Sequence, residues 1–141
     1  MVASSASRSA FIQSALVFMK TYAFDGIDID WEYPAATDRD GVTADTANFV
    51  TFLKELSEAC GSKYGISATL PSSYWYLQGF DIASMQDYLD FFNLMSECSL
   101  PCNEFDMGTD YNDSIRHSWN MGWKQCVCVV MSVQTYKLMV V

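Results

Sequence analysis

Residues 24–34 have the sequence FDGIDIDWEYP, whose two-residue periodicity is typical of a β-strand. Carboxyl side chains fall on every second position, at Asp28, Asp30 and Glu32. Apolar side chains occupy the positions between them, at Ile27, Ile29 and Trp31. Because side chains alternate between the faces of a strand, we predict a strand over residues 24–33 with one acidic and one apolar face. Pro34 ends it, since proline has no N–H to donate to a neighbouring strand.

The acidic face of this strand has the composition of a catalytic site. Three carboxyl groups on one face repel each other when all are ionised, so at least one is expected to hold a proton. Glu32 is the last of them and would lie at the C-terminal end of the strand, where barrel enzymes place their catalytic groups. A protonated carboxyl there can donate to the leaving-group oxygen of a glycosidic bond.

Two other interpretations of the acidic face are a solvated strand surface and a divalent-metal site. A solvated surface does not explain the apolar residues on the opposite face. A magnesium site lacks the phosphate-binding machinery that usually accompanies it. The glycosidase interpretation is therefore favoured.

Helix and strand patterns alternate on both sides of the acidic strand. Apolar residues at helical spacing predict helices over residues 9–22, 43–60 and 82–88, and Gly61 stands where a C-cap glycine belongs. Apolar runs predict two further strands, over residues 64–70 and 91–96. Strands that alternate with helices form parallel sheets through right-handed crossovers, so the predicted class is α/β.

The predicted architecture is a partial TIM (β/α)8 barrel. A closed barrel takes about 250 residues and eight strands, whereas this chain has 141 residues and three predicted strands. We therefore expect only central strands of the barrel with their helices.

Charge and composition narrow the class of partner. Seventeen acidic and eight basic residues give a formal charge of -9, which argues against a nucleic acid or an anionic membrane surface. A neutral polysaccharide is compatible with this charge. No apolar run is long enough to span a bilayer, and the first residues do not form a convincing secretory signal.

The cysteines do not form a recognisable metal site. The candidate zinc ligands would be Cys98, Cys102, His117, Cys126 and Cys128. Their spacings are Cys-x3-Cys and Cys-x-Cys, and neither is the two-residue separation that is usual for zinc ligands. We expect no metal and no cofactor.

The acidic strand resembles the D-x-x-D-x-D-x-E signature of the glycoside hydrolase family 18 chitinases. The resemblance continues through residues 64–78 and 91–96. There the sequence is similar in detail to the fungal, killer-toxin-like (class V) branch of the family. The resemblance implies a TIM barrel in which residues 1–96 supply strands four to six. It also implies a chitinase that hydrolyses β-1,4-linked N-acetylglucosamine polymers internally, with chitin or chito-oligosaccharides as its partner.

The resemblance implies a role for individual residues. Glu32 matches the general acid/base, and Asp30 matches the residue that orients the substrate's N-acetyl group for attack on the anomeric carbon. Asp28 matches the carboxyl that shares a proton with Asp30. Tyr33 matches a position lining the sugar subsite, and Met95 begins the family's M-x-Y-D motif on the sixth strand. The family's substrate-assisted route needs no enzyme nucleophile.

The sequence departs from the family pattern after Ser96. Glu97 and Cys98 stand where the family has tyrosine and aspartate. We expect residues 97–141 to be a divergent tail, of the kind that an erroneous gene model produces, and the chain to be an incomplete and inactive fragment. Family resemblance implies an extracellular location. The alternatives are a non-catalytic chitin-binding protein or inert fragment, and an endo-β-N-acetylglucosaminidase acting on N-linked glycans.

Overall fold

A computed structural model describes residues 1–95 and 138–141 of the chain. The helices are α1 (Ser5–Tyr22), α2 (Ala44–Cys60) and the short α3 (Tyr74–Leu77) and α4 (Ile82–Met85). The strands are β1 (Gly26–Ile29), β2 (Gly65–Pro71), β3 (Phe91–Met95) and β4 (Leu138–Val140). Two 3-10 turns, Thr37–Arg39 and Gln86–Tyr88, complete the described elements.

The four strands form one sheet in the order β3-β2-β1-β4, and every neighbouring pair is parallel. The α2 helix connects β1 to β2, and α3 and α4 lie on the connection from β2 to β3. The predicted alternation of strands and helices and the parallel sheet are confirmed.

The hydrophobic core lies on one face of this sheet. The strands contribute alternate apolar residues, namely Ile27, Ile29, Ile66, Ala68, Leu70 and Phe92. The helices cover them with Ile12, Ala15 and Met19 of α1, Phe49, Phe52, Leu53 and Leu56 of α2, and Ile82 and Met85 of α4. The polar residues of β1, β2 and β3 occupy the positions between the apolar ones. A parallel sheet with helices on one face and polar groups on the other has the layout of a segment of barrel wall.

The predicted boundaries differ from the structure by more than one residue at three elements. The α1 helix begins at Ser5, not at residue 9, because Ser4 caps it and its hydroxyl accepts a hydrogen bond from the N–H of Ser7. The acidic strand is shorter than predicted, since its ladder ends at Ile29. The predicted helix over residues 82–88 divides into α4 and a 3-10 turn.

The count of three strands was wrong, because β4 pairs with the free side of β1. Leu138–Val140 lies beside Gly26–Asp28, and the ladder is prolonged by hydrogen bonds between Val141 and the backbone of Asp28 and Asp30. Three residues are too few to show a periodicity, so the sequence gives no strand signal there. The last strand of the chain thus borders the acidic strand.

Candidate active site

The C-terminal ends of the parallel strands meet at one edge of the sheet, and the acidic residues lie at this edge. Ile27 and Ile29 are buried in the core beneath the helices. Beyond the end of β1, Trp31 keeps the same direction and packs edge-on against Phe49 of α2, with ring centroids 5.2 Å apart. The predicted apolar face is therefore confirmed, and it extends from Ile27 to Trp31.

Asp28 lies on the opposite face and is only 4% exposed. Its Oδ1 accepts hydrogen bonds from the hydroxyl of Ser67 and from Nδ2 of Asn93, the latter at 2.9 Å. Its Oδ2 accepts from the hydroxyl of Thr69 at 2.7 Å. These donors belong to β2 and β3. A single carboxyl group of β1 is therefore hydrogen-bonded to both strands on one side of it.

The partners of Asp28 were not assigned from the sequence. Ser67 and Thr69 alternate with Ile66, Ala68 and Leu70, and this period-two pattern was a usable sign of a polar face on β2. The register decides which polar residues meet: Asp28 pairs with Ser67, and Thr69 pairs with Asn93. The register between two strands cannot be predicted from the residue pattern of either strand alone.

Asp30 and Glu32 follow β1 into the loop. Glu32 is exposed, whereas Asp30 is half-buried. Both line a cavity of about 350 Å³ together with Trp31 and with residues of α1 and α2. The backbone N–H of Asp30 donates to the carbonyl of Val141 at 2.7 Å, which fixes the chain at the point where it leaves the sheet. The other walls of this cavity are apolar and belong to the helix-covered side of the sheet, including Ile29, Phe49 and Phe52, so the cavity lies where β1 ends and not over the buried network of Asp28.

Tyr33 follows Glu32 across a cis peptide bond and lies half-buried against the next loop. Its ring stacks on Tyr76, with centroids 4.1 Å apart and planes 23° apart, and the guanidinium of Arg39 lies 5.7 Å from the ring centroid. Burial and the charge of the neighbouring Glu32 carboxylate raise the pKa of Tyr33. The phenol therefore keeps its proton and remains a hydrogen-bond donor beside Glu32.

Met95 is the last residue of β3 and is half-buried. It pairs with Pro71, and the alternation along β3 puts it on the same face as Asn93. Glu32 lies three residues beyond the end of β1, and Met95 and Pro71 end β3 and β2 at the same edge of the sheet. The two predicted substrate-binding residues, Tyr33 and Met95, thus lie at the edge of the sheet that carries Glu32.

Within residues 1–95 and 138–141 no three histidine, cysteine or acidic side chains are grouped as ligands for a metal ion. In the same part of the chain no helix combines the length and the apolar character that a bilayer span requires. The cysteines and His117 considered as zinc ligands, and Glu97, lie outside the described residues.

Comparison with known proteins identifies the family. The profile named "Glycosyl hydrolases family 18" matches residues 1–140. The chain belongs to glycosyl hydrolase family 18.

Relatives from fungi support the predicted branch of family 18. "Probable chitinase LysM11" of Penicillium expansum is 44% identical over 97 residues, which are 65% of this chain and 9% of the relative. The killer toxin alpha/beta subunits of Kluyveromyces lactis are 40% identical over 94 residues, or 64% of this chain and 8% of the toxin. Both matches agree with the resemblance to fungal, killer-toxin-like family members.

A solved chitinase structure confirms the fold class. The group IV chitinase of Ostrinia furnacalis in complex with allosamidin is 34% identical, with a TM-score of 0.63 over 67% of this chain and 26% of that chain. The sheet described above is therefore part of an α/β barrel. The chain spans less than a tenth of the two fungal relatives. The profile match runs through residue 140, and the predicted boundary between residues 96 and 97 stays a prediction.

Proposed function

We propose that this chain carries the catalytic strand of a chitinase, a hydrolase that cleaves β-1,4-linked N-acetylglucosamine polymers at internal bonds. The observation that carries this proposal is Glu32, an exposed carboxyl group at the C-terminal end of β1 in a family 18 barrel segment. Barrel enzymes place catalytic groups at this end of their strands. A glycosidase needs a carboxyl group there that can reach the scissile oxygen.

Glu32 acts as the proton donor in the first step. It protonates the glycosidic oxygen as the bond to the anomeric carbon breaks, and the leaving sugar departs as an alcohol. The carbonyl oxygen of the substrate's own N-acetyl group forms the new bond to the anomeric carbon. The Glu32 carboxylate then takes a proton from the water that opens the resulting ring, so two displacements retain the anomeric configuration.

Asp30 and Asp28 support the attacking N-acetyl group. Asp30 lies two residues before Glu32 and is half-buried, which suits a carboxyl group that orients an amide and stabilises its developing positive charge. Asp28 is held in place by hydrogen bonds from Ser67, Thr69 and Asn93, and it fixes the strand two residues before Asp30. Tyr33 contributes a phenol donor, and Met95 an apolar wall, at the same edge of the sheet.

The substrate and location follow from the same chemistry. The excess of acidic over basic residues disfavours an anionic polymer, whereas a neutral amino-sugar polymer suits it. Such a polymer is insoluble and occurs outside the cell, so we propose an extracellular location for the protein. We propose no cofactor, because substrate-assisted hydrolysis requires only carboxyl groups and water.

The test is the variant Glu32→Gln in a barrel-complete form, meaning residues 1–95 joined to the remaining strands of a family 18 relative. Turnover of a chromogenic chitotrioside should fall by about a hundredfold or more, because the amide cannot donate the proton. Glu58→Gln, at an exposed position of α2, is the matched control and should leave the rate unchanged. Equal rates for Glu32→Gln and the control would contradict the assignment.

A second measurement tests the substrate-assisted route. A chromogenic substrate with a hydroxyl group in place of the 2-acetamido group should not be cleaved by the barrel-complete form, and a thiazoline analogue of the cyclic intermediate should inhibit it competitively. A covalent glycosyl ester on Asp30 or Asp28, detected by mass spectrometry, would show an enzyme nucleophile and contradict the route.

A further inference from the structure

The outer edge of β1, the edge that faces away from β2, is paired with the last strand of the chain. Leu138–Val140 lies parallel to Gly26–Asp28. Beyond this ladder the N–H of Val141 donates to the carbonyl of Asp28 at 2.9 Å, and the carbonyl of Val141 accepts from the N–H of Asp30 at 2.7 Å. The outer edge of β1 therefore accepts a parallel strand as far as Asp30.

The order of the strands along the chain does not match their order in the sheet at this edge. The α2 helix leads from β1 to β2, and these two strands are parallel neighbours. The α1 helix leads into β1 in the same way, so the regular succession of a barrel would place the strand that precedes α1 beside β1. Residues 1–25 contain α1 and no strand. The β4 strand thus occupies a position that barrel topology gives to a different strand.

The ladder between β4 and β1 is the shortest one in the described sheet. It pairs three residues of each strand, whereas β1 and β2 pair four and β2 and β3 pair five. Main-chain hydrogen bonds supply much of the affinity of a strand that adds to a sheet edge. A longer strand that runs in the same direction can therefore replace β4.

An apolar cavity lies directly beyond β4, at the end of β1. Its volume is about 350 Å³, and Val141 forms part of its wall. The other apolar walls come from β1, from the residue Trp31 that follows it, and from both long helices, namely Ile29, Trp31, Phe11, Phe49 and Phe52. A strand that ran on past the position of Val141 would enter this cavity, whose walls suit an apolar side chain.

We propose that the outer edge of β1 and this cavity together form a strand-addition site. Its occupant is the barrel strand that precedes α1 in the order of a family 18 barrel, supplied from outside residues 1–141. Backbone hydrogen bonds hold that strand on β1, and the cavity selects an apolar side chain near its C-terminal end. The β4 strand is a replaceable cover, which shields an edge that would otherwise promote aggregation. Docking of a strand does not depend on the reaction at Glu32, so this site stands apart from the proposed function.

The test measures binding of a single strand to the full chain. The probe is a fluorescently labelled synthetic peptide with the sequence of the strand that directly precedes the counterpart of α1 in a fungal family 18 relative. It is titrated with dilute residues 1–141 and followed by fluorescence anisotropy. A second peptide, with aspartate in place of the apolar residue that would enter the cavity, should bind about tenfold more weakly, because the cavity offers a carboxylate no partner.

Two variants of the chain test whether β4 competes with the peptide. Val141→Pro lacks the N–H that donates to Asp28 and should bind the peptide about tenfold more tightly, because a tethered competitor is weakened. Val141→Ala keeps this N–H and is the matched control, with the affinity of the parent chain. Equal affinities for Val141→Pro and Val141→Ala would overturn the role of β4 as a replaceable cover.

Amide hydrogen exchange of the parent chain locates the bound peptide without any substitution. Addition of the peptide should release the N–H of Val141 from Asp28 and speed its exchange about tenfold or more. The N–H of Gly65, which donates to the carbonyl of Asp25 at 3.0 Å on the other side of β1, should exchange at an unchanged rate. Binding that leaves the exchange of Val141 unchanged, or no binding at millimolar peptide, would overturn the strand-addition site.

Discussion

At the scale of single residues, the buried carboxyl group of Asp28 depends on hydroxyl donors from β2. We expect Thr69→Val, which keeps the branched shape but removes one donor, to lower the free energy of unfolding by about 1–3 kcal/mol, because a buried acceptor loses its partner. Thr51→Val is the control. Thr51 is exposed on α2 and donates only to the carbonyl of Ala47, so its change should stay within about 0.5 kcal/mol.

The measurement is urea unfolding of the chain and of both variants, followed by circular dichroism. Equal midpoints for Thr69→Val and Thr51→Val would show that Asp28 does not need this donor. The sequence predicted which face Asp28 occupies, because alternation is local. It did not predict Ser67, Thr69 and Asn93 as partners, because their meeting depends on the register of three strands.

At the scale of elements, α1 and α2 are joined by one ion pair. Arg8 is 8% exposed and donates from Nε and Nη2 to the two carboxylate oxygens of Glu55, at 2.8 and 2.7 Å. The hydrogen bond from Arg8 and its positive charge lower the pKa of Glu55 below its ordinary value of 4.5. A lowered pKa stabilises the fold above about pH 4.5 and ceases to do so as the pH falls through the folded-state value.

The prediction concerns how the thermal midpoint falls at acid pH, which is the acid limb of the curve of stability against pH. Arg8→Met should lower the thermal midpoint at pH 7. When the pH falls from about 5 to about 3, the thermal midpoint of this variant should fall by less than that of the parent chain. Arg39→Met is the control, because Arg39 and Asp38 are half-exposed and 3.9 Å apart. An acid limb of equal slope in Arg8→Met and the parent chain would rule out this pair as its cause.

The elements differ in how well the sequence predicts them. The C-terminal end of α2 was predicted correctly, because Phe49, Phe52, Leu53 and Leu56 form a helical stripe and Gly61 caps it in the left-handed region, with φ 56°. The first turn of α1 was missed, since residues 5–8 carry no apolar periodicity and depend on the Ser4 cap and the Arg8 ion pair. The β4 strand was missed because, among the described strands, it pairs with β1 alone, more than a hundred residues earlier in the chain.

At the scale of the whole molecule, the described sheet is an arc and not a closed barrel. The chain has 141 residues, whereas a closed barrel takes about 250. Within the described residues β3 and β4 are the outer strands of the sheet. The polar face that holds Asp28 is the face that a closed barrel would turn toward its interior, so the remaining strands are needed to enclose the substrate site.

This geometry leads to the last prediction, that residues 1–141 alone do not hydrolyse chito-oligosaccharides. An open sheet contacts a substrate from one side, whereas turnover requires the scissile bond to be kept in a near-attack geometry against Glu32. The outer edges of β3 and β4 pair with no other described strand, and such edges promote edge-to-edge association. We therefore expect light scattering to show a mass above that of the monomer as the concentration rises.

Release of a chromophore from a chitotrioside by the chain alone should not exceed the rate of its Glu32→Gln variant. The barrel-complete form, assayed beside it, should release the chromophore readily, and this comparison isolates the contribution of the missing strands. A monomeric chain with steady turnover that Glu32→Gln abolishes would show that the strands of residues 1–141 suffice, so that the substrate's N-acetyl group and Asp30 together hold the reacting bond without an enclosing barrel.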